Sequence, residues 1–414
     1  MKIKFSKDTL YKIIFIICVA VPYLNNYELT FSIWFLATIT TLRKSYSKPL
    51  FQQILPFVFI LGIALGMCFW YEYKPYNIIR DFAYLLKPIF GLLIGYQITK
   101  KHLKNPLQTA LEAGVVIAII HLLIVFYCFL FLGVRNIHVL REMAGYFSDY
   151  EIYALILIIF NKELEINLSL KNKVMFILLL AISSAFYLSR TNFIQFVILF
   201  IALKGYFVWN KRTLSVLLTI FFGTAVFYGT ILYINPKRNA PGIEAFLYKI
   251  KIAPIEPFKT SINVDDWKDF NDNYRSLENI LTVKESLKKD KINIAFGQGL
   301  GSVVDIRREV LLDNVMIRYS SILHNGFMTV YLKSGILGVL FLLWSIFILR
   351  SNLSNQIRLK SINRLIIGTT IFLFISYWVF MGLYFKADTK SILIGLIFAY
   401  TEKKKLEIAD ENLI

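Results

Sequence analysis

Ser320-Ser321-Ile322-Leu323-His324-Asn325-Gly326-Phe327 is the stretch on which the reading of this chain turns. It closes a charged, aromatic, loop-like insert that begins near Asn235, and it opens an apolar run. Apolar segments flank the insert on both sides. The chain therefore divides into residues 1–234, an insert over 235–323 and a last part over 324–414. A histidine at the seam between a large polar loop and an apolar helix is a candidate site facing a lipid-attached substrate. It points away from a simple channel and toward chemistry at a membrane surface.

Composition agrees with that division. The 414 residues are 57% hydrophobic and 16% aromatic, with only 18% charged, and the mean hydropathy is +0.59. Soluble globular domains are less apolar. A bilayer core takes about 20 apolar residues per helix. Backbone groups in lipid must bond within their own segment, so the apolar runs should be helices. They are too long, and alternate too little, for outer-membrane strands. About twelve spans are predicted. They lie near Thr9–Leu24, Glu28–Leu42, Phe51–Tyr71, Phe82–Thr99, Leu107–Gly133, Tyr150–Phe160, Val174–Leu188, Asn192–Trp209, Leu214–Ile234, Asn325–Leu349, Leu365–Tyr384 and Lys390–Thr401. The predicted fold class is an all-α polytopic membrane protein, with short helices in one large external loop between the ninth and tenth spans.

Charge orients the chain. Lys and Arg accumulate in cytoplasmic loops. Lys2/Lys4/Lys7, Arg43/Lys44/Lys48, Lys100/Lys101/Lys104, Lys171/Lys173, Lys211/Arg212, Arg350/Arg358/Lys360/Arg364 and Lys403/Lys404/Lys405 all fall on one side of a twelve-span arrangement. Both termini are then cytoplasmic and the insert is external. Most of the net charge of +19 is an orientation signal, not a nucleic-acid footprint. The first span has a basic flank but no convincing cleavage site, so it reads as a retained helix. Cys18, Cys68 and Cys128 all lie in predicted spans, which leaves neither a disulfide framework nor a cysteine metal site. No internal repeat is evident, and many transporters are built from repeats.

Cations expected on the outer side are the exceptions to the charge rule. Arg190, in Tyr187-Leu188-Ser189-Arg190-Thr191-Asn192, sits on a very short hairpin that holds it at membrane-surface depth. There a guanidinium can fork onto a lipid phosphate, or simply snorkel to the headgroups. Arg141 precedes the sixth span, with Arg135 and His138 nearby and Glu142 as a possible partner. His138 reads as a solvated loop histidine. Arg80 and Lys87 share a helical face at the outer end of the fourth span. An intramembrane lysine is a functional candidate by default, although pairing with Asp81 explains it as well. His324 can take a proton near neutral pH or hydrogen-bond a headgroup, and no other His or Cys gives it metal-ligand spacing.

Within the insert, an amphipathic stretch runs from Asn273 to about Lys291. Its apolar stripe is Leu277, Ile280, Leu281, the stem of Lys284 and Leu287. The glycine-rich turn Phe296-Gly297-Gln298-Gly299-Leu300-Gly301-Ser302 follows it. That turn lacks the preceding strand and following lysine of a phosphate loop. Tyr248, Trp267, Phe270 and Tyr274 offer faces on which sugars can stack, or they pack the loop's own core.

These segments together resemble the O-antigen ligase and polymerase superfamily (WaaL/Wzy type). His324-Asn325-Gly326-Phe327 followed by Lys333-Ser334-Gly335-Ile336-Leu337-Gly338 resembles its late signature, a large external loop ending in His-Asn before a Gly-x-x-Gly helix. Ser189-Arg190-Thr191 resembles its Ser-Arg hairpin. Arg275, then the helix and glycine turn, resembles its arginine motif. Arg141 with Gly145, Phe147 and Asp149 resembles its earlier external motif, although Tyr150-Glu151 stands where Pro-Asn is usual. The similarity covers about Arg141 to Leu343, in order. Lys333 replaces an acidic residue common in ligases, which leans toward the polymerase branch.

The resemblance implies a metal-independent and cofactor-free glycosyl transfer in the bacterial cytoplasmic (inner) membrane. The donor is a glycan on undecaprenyl pyrophosphate. The acceptor is a sugar hydroxyl of another lipid-linked repeat unit for a polymerase of O-antigen, lipopolysaccharide or capsule type, or of lipid A-core for a ligase. His324 is implied as base, with Arg190 and Arg275 on the pyrophosphate and Arg141, Arg80, Lys87 and Asn325 as substrate-binding helpers. The lipid bilayer, a chain-length regulator and a flippase are the implied partners, and nucleic acid is not. A lipid-linked-oligosaccharide flippase is the non-enzyme alternative. It should line a central cavity with cations, whereas here they gather on one side around one loop.

Overall fold

The computed structural model describes residues 6–411, apart from 146–147, 188, 208–210, 239–242, 257–258, 313–314, 352 and 354–355. Lys2, Lys4, Phe147, Leu188 and Trp209, singled out above, lie outside the described residues, as do the side chains of His138, Glu142 and Arg212. Ten helices precede the insert: α1 (Lys7–Ala20), α2 (Tyr27–Thr40), α3 (Lys48–Cys68), α4 (Pro75–Lys101), α5 (Pro106–Leu130), α6 (Ile137–Ala144), α7 (Asp149–Ile159), α8 (Leu170–Phe186), α9 (Arg190–Lys204) and α10 (Lys211–Ile234). The insert holds α11 (Ile243–Ile252), α12 (Trp267–Asp272), α13 (Tyr274–Lys289), α14 (Ile292–Phe296) and the strands β1 (Val304–Leu312) and β2 (Val315–Ser320). The helices α15 (Gly326–Ser351), α16 (Lys360–Val379) and α17 (Lys390–Glu411) complete the chain.

Local sequence explains where many of these helices begin. Ser6, Asn26, Ser47, Ser148, Ser169 and Ser189 each accept a hydrogen bond from the backbone N–H three residues on. Such caps satisfy donors that a helix start leaves orphaned. Each of the twelve expected apolar segments contains a helix. Among the described residues, five helices are long and apolar enough to cross a membrane: Lys48–Cys68, Pro106–Leu130, Thr213–Ile234, Gly326–Ser351 and Ile357–Val379. The others fall short for physical reasons. At 14 residues apiece, α1 and α2 measure about 21 Å, against about 30 Å of hydrocarbon. The longer α4 carries Arg80, Asp81 and Lys87, and α17 ends in a charged run.

The helices pack around one extended apolar core drawn from α1 through α5, α7 through α9 and α15 through α17. Its tightest seam joins α4 to α17, where a Cβ on Gly95 or Gly395 would collide with the facing helix backbone. By contrast, α10 is apolar on all sides yet only 6% of its apolar window is buried within the chain. A helix of that kind is compatible with a lipid surround.

The insert is a folded cap with its own core: Phe270, Leu277, Leu281, Val304 and Ile306, joined by Leu323 and by Leu332 of α15. It is not all helical. The strands β1 and β2 form an antiparallel hairpin, with Val304 opposite Ser320 and Leu312 opposite Val315. The register shifts between Asp305 and Val310, where Arg307 takes φ 63°. Arg318 donates side-on from Nε and Nη2 to the two oxygens of Asp305, at 2.9 and 3.0 Å. This hairpin corrects the all-α expectation. Its signal was a β-branched, apolar run interrupted by Asp313-Asn314, which reads as a turn between strands.

The glycine turn fastens the cap to the bundle. At Gly335 the backbone of α15 breaks to φ 65°, ψ −161°, which frees carbonyls that a continuous helix would use. The turn supplies their partners. Gln298 N–H donates to Leu332 O at 2.8 Å and Gly299 N–H to Lys333 O at 3.1 Å. Leu300 N–H reaches Ala64 O on α3 at 3.0 Å, and Gly301 N–H reaches Asp81 Oδ2 on α4 at 2.8 Å. At the centre lies the Lys333 ammonium. It donates to Asp81 Oδ2 at 2.5 Å and to Ser302 O at 2.5 Å.

Both charges of this pair are almost wholly buried, at 2% and 1% side-chain exposure. Removing one partner of such a pair costs ~3–5 kcal/mol, because the other is left uncompensated. Lys333→Met is therefore expected to lower the thermal midpoint of the purified protein sharply. The double variant Lys333→Met/Asp81→Leu should recover a large part of the loss. Equal midpoints for wild type and Lys333→Met would refute this role.

Candidate active site

His324 stands directly before α15, and its neighbours explain the sequence around it. Asn325 Oδ1 accepts from Met328 N–H at 3.2 Å and so caps the helix. Gly326 donates its N–H to Phe380 O at 2.8 Å, in a space where a Cβ would strike the Tyr377 ring. Asn325 and Gly326 therefore fix the backbone that presents His324. Asn325 is buried and spent on this cap, so its expected substrate contact becomes a positioning role.

The imidazole is held by Glu278, on the second turn of α13. Glu278 Oε2 accepts the His324 backbone N–H at 2.9 Å, and its carboxylate lies 3.1 and 3.2 Å from Nδ1. A carboxylate accepts but does not donate. It therefore selects the tautomer with the proton on Nδ1 and leaves Nε2 as a free acceptor, as an orienting acid does for a catalytic histidine. Glu278 is buried to 1% exposure, whereas the His324 side chain is 33% exposed. Tyr274, one turn earlier on α13, sets its ring edge-on to the imidazole, with centroids 5.5 Å apart.

This arrangement revises the stripe expected along α13. Leu277 and Leu281 are buried, but Lys284 and Leu287 face outward. The inward face instead carries Glu278, Thr282 and Ser286. The reason is what it meets: His324 takes Glu278, and Gln298 of the glycine turn donates to Ser286 Oγ at 3.3 Å. Sequence reasoning missed Glu278. Its available signal was its spacing, three residues after Arg275 and hence on a neighbouring helical position.

Beside this dyad lies a group of cations from several elements. Ser189 caps α9, and the Arg190 guanidinium beside it donates to Lys249 O on α11 at 2.9 Å. Burial pulls the Arg190 guanidinium below its ordinary value, Arg275 and Arg141 push the same way, and Glu256 opposes them. Lys249 is likewise lowered, first by burial and then by Arg190 and Arg141. Glu256 is raised by burial, while Arg275, Arg190 and His324 favour its charged form. Arg141, Arg190, Lys249, Glu256, Arg275 and His324 thus share one electrostatic field. Ser276 donates to the Glu256 carbonyl and ties the turn after α11 to the start of α13. Arg238 and Tyr248 both engage Asp272, at 3.1 and 2.9 Å.

Chemically, the arrangement offers a half-buried, cation-rich surface for an anion next to an oriented imidazole. Fixed guanidinium and ammonium groups stabilise phosphate oxygens strongly where water is partly excluded. Among the described residues, no group of His, Cys, Asp and Glu side chains has the arrangement of a metal site. Neither a family model nor a curated protein matches this chain.

Not all of the residues singled out by sequence belong here. Arg80 leans on Asp81 at 3.4 Å and lies over the Tyr76 ring. Lys87 donates to the carbonyls of Phe385 and Lys386 and faces the Trp34 ring. Both are engaged in holding α4, so the structure does not bring them to the cations around Arg190. Of the aromatic residues, Phe270 is buried in the cap core, Trp267 carries Arg308 over its ring, and Tyr274 alone touches the imidazole. A further buried network was not foreseen. Lys390, at the first turn of α17, pairs with Asp149 at the first turn of α7 and with Asp388.

The orientation of His324 has a direct test. In Glu278→Gln the amide oxygen takes over the His324 backbone N–H, and the amide NH2 group faces Nδ1. The ring proton should then move to Nε2. With four histidines in the chain, nitrogen-15 NMR of histidine-labelled protein can follow this change. An unchanged tautomer in Glu278→Gln would remove Glu278 from the role of orienting acid.

Proposed function

We propose that this protein is a polysaccharide polymerase of the bacterial cytoplasmic membrane. It transfers a glycan from undecaprenyl pyrophosphate to a sugar hydroxyl of another lipid-linked repeat unit. The observation that carries this reading is the meeting of Arg141, Arg190 and Arg275 with the His324–Glu278 dyad. Arg141, Arg190, Arg275 and His324 lie far apart in the chain, yet each belongs to a motif that resembles the ligase and polymerase superfamily. The topology belongs to the same proposal: about twelve spans, cytoplasmic termini, and the cap on the outer face.

The chemistry follows from what these groups do best. Nε2 of His324 takes the proton of the acceptor hydroxyl. The acceptor oxygen forms a bond to the anomeric carbon as the bond from that carbon to the pyrophosphate oxygen breaks. The bonding pair stays on the pyrophosphate, where the arginines stabilise it. Pyrophosphate is already a good leaving group and needs charge stabilisation more than a proton. Glu278 fixes the tautomer of the neutral ring that presents Nε2 as the acceptor before the step, and stabilises the imidazolium after it.

Deleting the gene from its host and resolving surface glycan and lipid-linked pool by gel tests this reading. Single repeat units on their final anchor, without a ladder, are expected. Complementation with His324→Ala should lower turnover by about 10²–10⁴-fold, the usual range for a general base, while leaving the protein in the membrane. Arg190→Ala and Arg275→Ala should each fail to restore the ladder. Long lipid-linked chains accumulating without transfer would identify a ligase instead, and repeat units trapped on the cytoplasmic face would identify a transporter.

A further inference from the structure

Glu256 has no part in the chemistry above, and yet it sits among the groups that perform it. It lies on the turn after α11, with its carbonyl held by Ser276 at the start of α13. That bond sets Glu256 beside Arg275, and the charges of Arg275, Arg190, Asp272 and His324 all act on its carboxyl group. Arg141 and Lys249 act on the same Arg190. A resident carboxyl group in a surface suited to anions opposes the very ligand that the arginines attract.

We propose that Glu256 promotes release of the pyrophosphate product by repelling it more strongly than it repels the donor. The inference rests on the function proposed above. In that reaction the donor is a pyrophosphate diester. When the bond to the anomeric carbon breaks, the electron pair stays on the phosphate oxygen, and the proton from the acceptor goes to His324. The leaving group is now a monoester carrying one more negative charge than the donor. The arginine cluster alone would hold this product more tightly than any donor and would stall turnover. Coulomb repulsion from a fixed carboxylate also grows with the charge of the ligand. It therefore offsets the arginine attraction most where that attraction is greatest.

The test uses the full-length protein in lipid nanodiscs and two soluble probes in mildly alkaline buffer: methyl pyrophosphate, a monoester, and the symmetrical dimethyl diester of pyrophosphate. Titration calorimetry gives Kd for each. Glu256→Gln is expected to tighten the monoester about sixfold and the diester about threefold. Glu256→Ala should shift both in the same direction, and a thermal midpoint for each variant reports its folding. If Glu256→Gln changes the two probes equally, or neither, the release role is overturned. Arg190→Ala and Arg275→Ala separate this from failure of the underlying site. If they weaken binding while Glu256→Gln does nothing, only the Glu256 inference falls. If the wild type binds neither probe, or the arginine variants bind as well as it does, the pyrophosphate reading and the Glu256 inference fall together.

Discussion

The buried pair between Lys333 and Asp81 is the constraint on which the rest of the architecture depends. A lysine and an aspartate in an apolar interior are costly to desolvate, and the cost is offset only when every remaining donor and acceptor finds a partner. Here Lys333 also reaches Ser302 O, and Asp81 also accepts from Gly301 N–H. The pair therefore joins three elements that are distant in sequence: α4, the glycine turn of the cap, and α15 at its break. Gly335 and Gly297 make that meeting possible, since both take positive φ and both lie where a Cβ would strike facing backbone. Were α15 continuous at Gly335, its carbonyls would be used within the helix and the turn would lose its partners. The cap would then rest on apolar contacts alone.

Electrostatics organise the bundle in a second way. Both α7 and α17 begin in the buried network of Asp149, Asp388 and Lys390. A helix N-terminus favours negative charge, and Asp149 in the first turn of α7 meets that preference. Lys390 in the first turn of α17 opposes it and is compensated by two carboxylates. This network neutralises itself. The cluster around Arg190 does not: among the described residues, its cations outnumber the carboxyl groups that act on them. An excess of half-buried positive charge is destabilising unless an anion completes it, so this surface is suited to binding while the Lys390 network is suited to cohesion. Lys87 belongs with the second kind. Its ammonium is consumed by two backbone carbonyls and an aromatic face.

How far the sequence disclosed this arrangement differs between fold and site. Helix positions were legible because apolar runs and Ser or Asn caps act locally, and each expected segment contains a helix. The crossing count was less legible, since a run of apolar residues does not reveal whether the helix within it reaches a full bilayer thickness. The hairpin of the cap was obscured by Arg307, Arg308 and Glu309, which interrupt the alternation at the register shift between Asp305 and Val310. In the site, Arg190 and His324 stood out by residue type and position, and Arg275 through the resemblance. Glu278, Lys249 and Glu256 did not, because their importance comes from which side chains face them across the cap, and chain proximity records only part of that. Arg80 and Lys87 misled for the converse reason. A cation in an apolar run draws notice whether its partner is a ligand or a carbonyl.

The two halves of the site differ in how firmly they are held, and that difference fits the demands of the transfer proposed above, between two large lipid-linked molecules. The base side is rigid. His324 is bonded through both backbone and ring to a buried carboxylate, its helix is capped by Asn325 and packed at Gly326, and the same helix is anchored at Lys333. Proton transfer needs such fixed geometry, since it operates within hydrogen-bond reach. The anion side is assembled from α6, α9, α11 and α13, whose long side chains meet through charge more than through packing. Long-range charge tolerates small displacements far better than a hydrogen bond does. In the proposed reaction, a fixed imidazole with a more yielding ring of cations would keep the reacting atoms in register while accepting a pyrophosphate that arrives, changes charge and departs in each cycle.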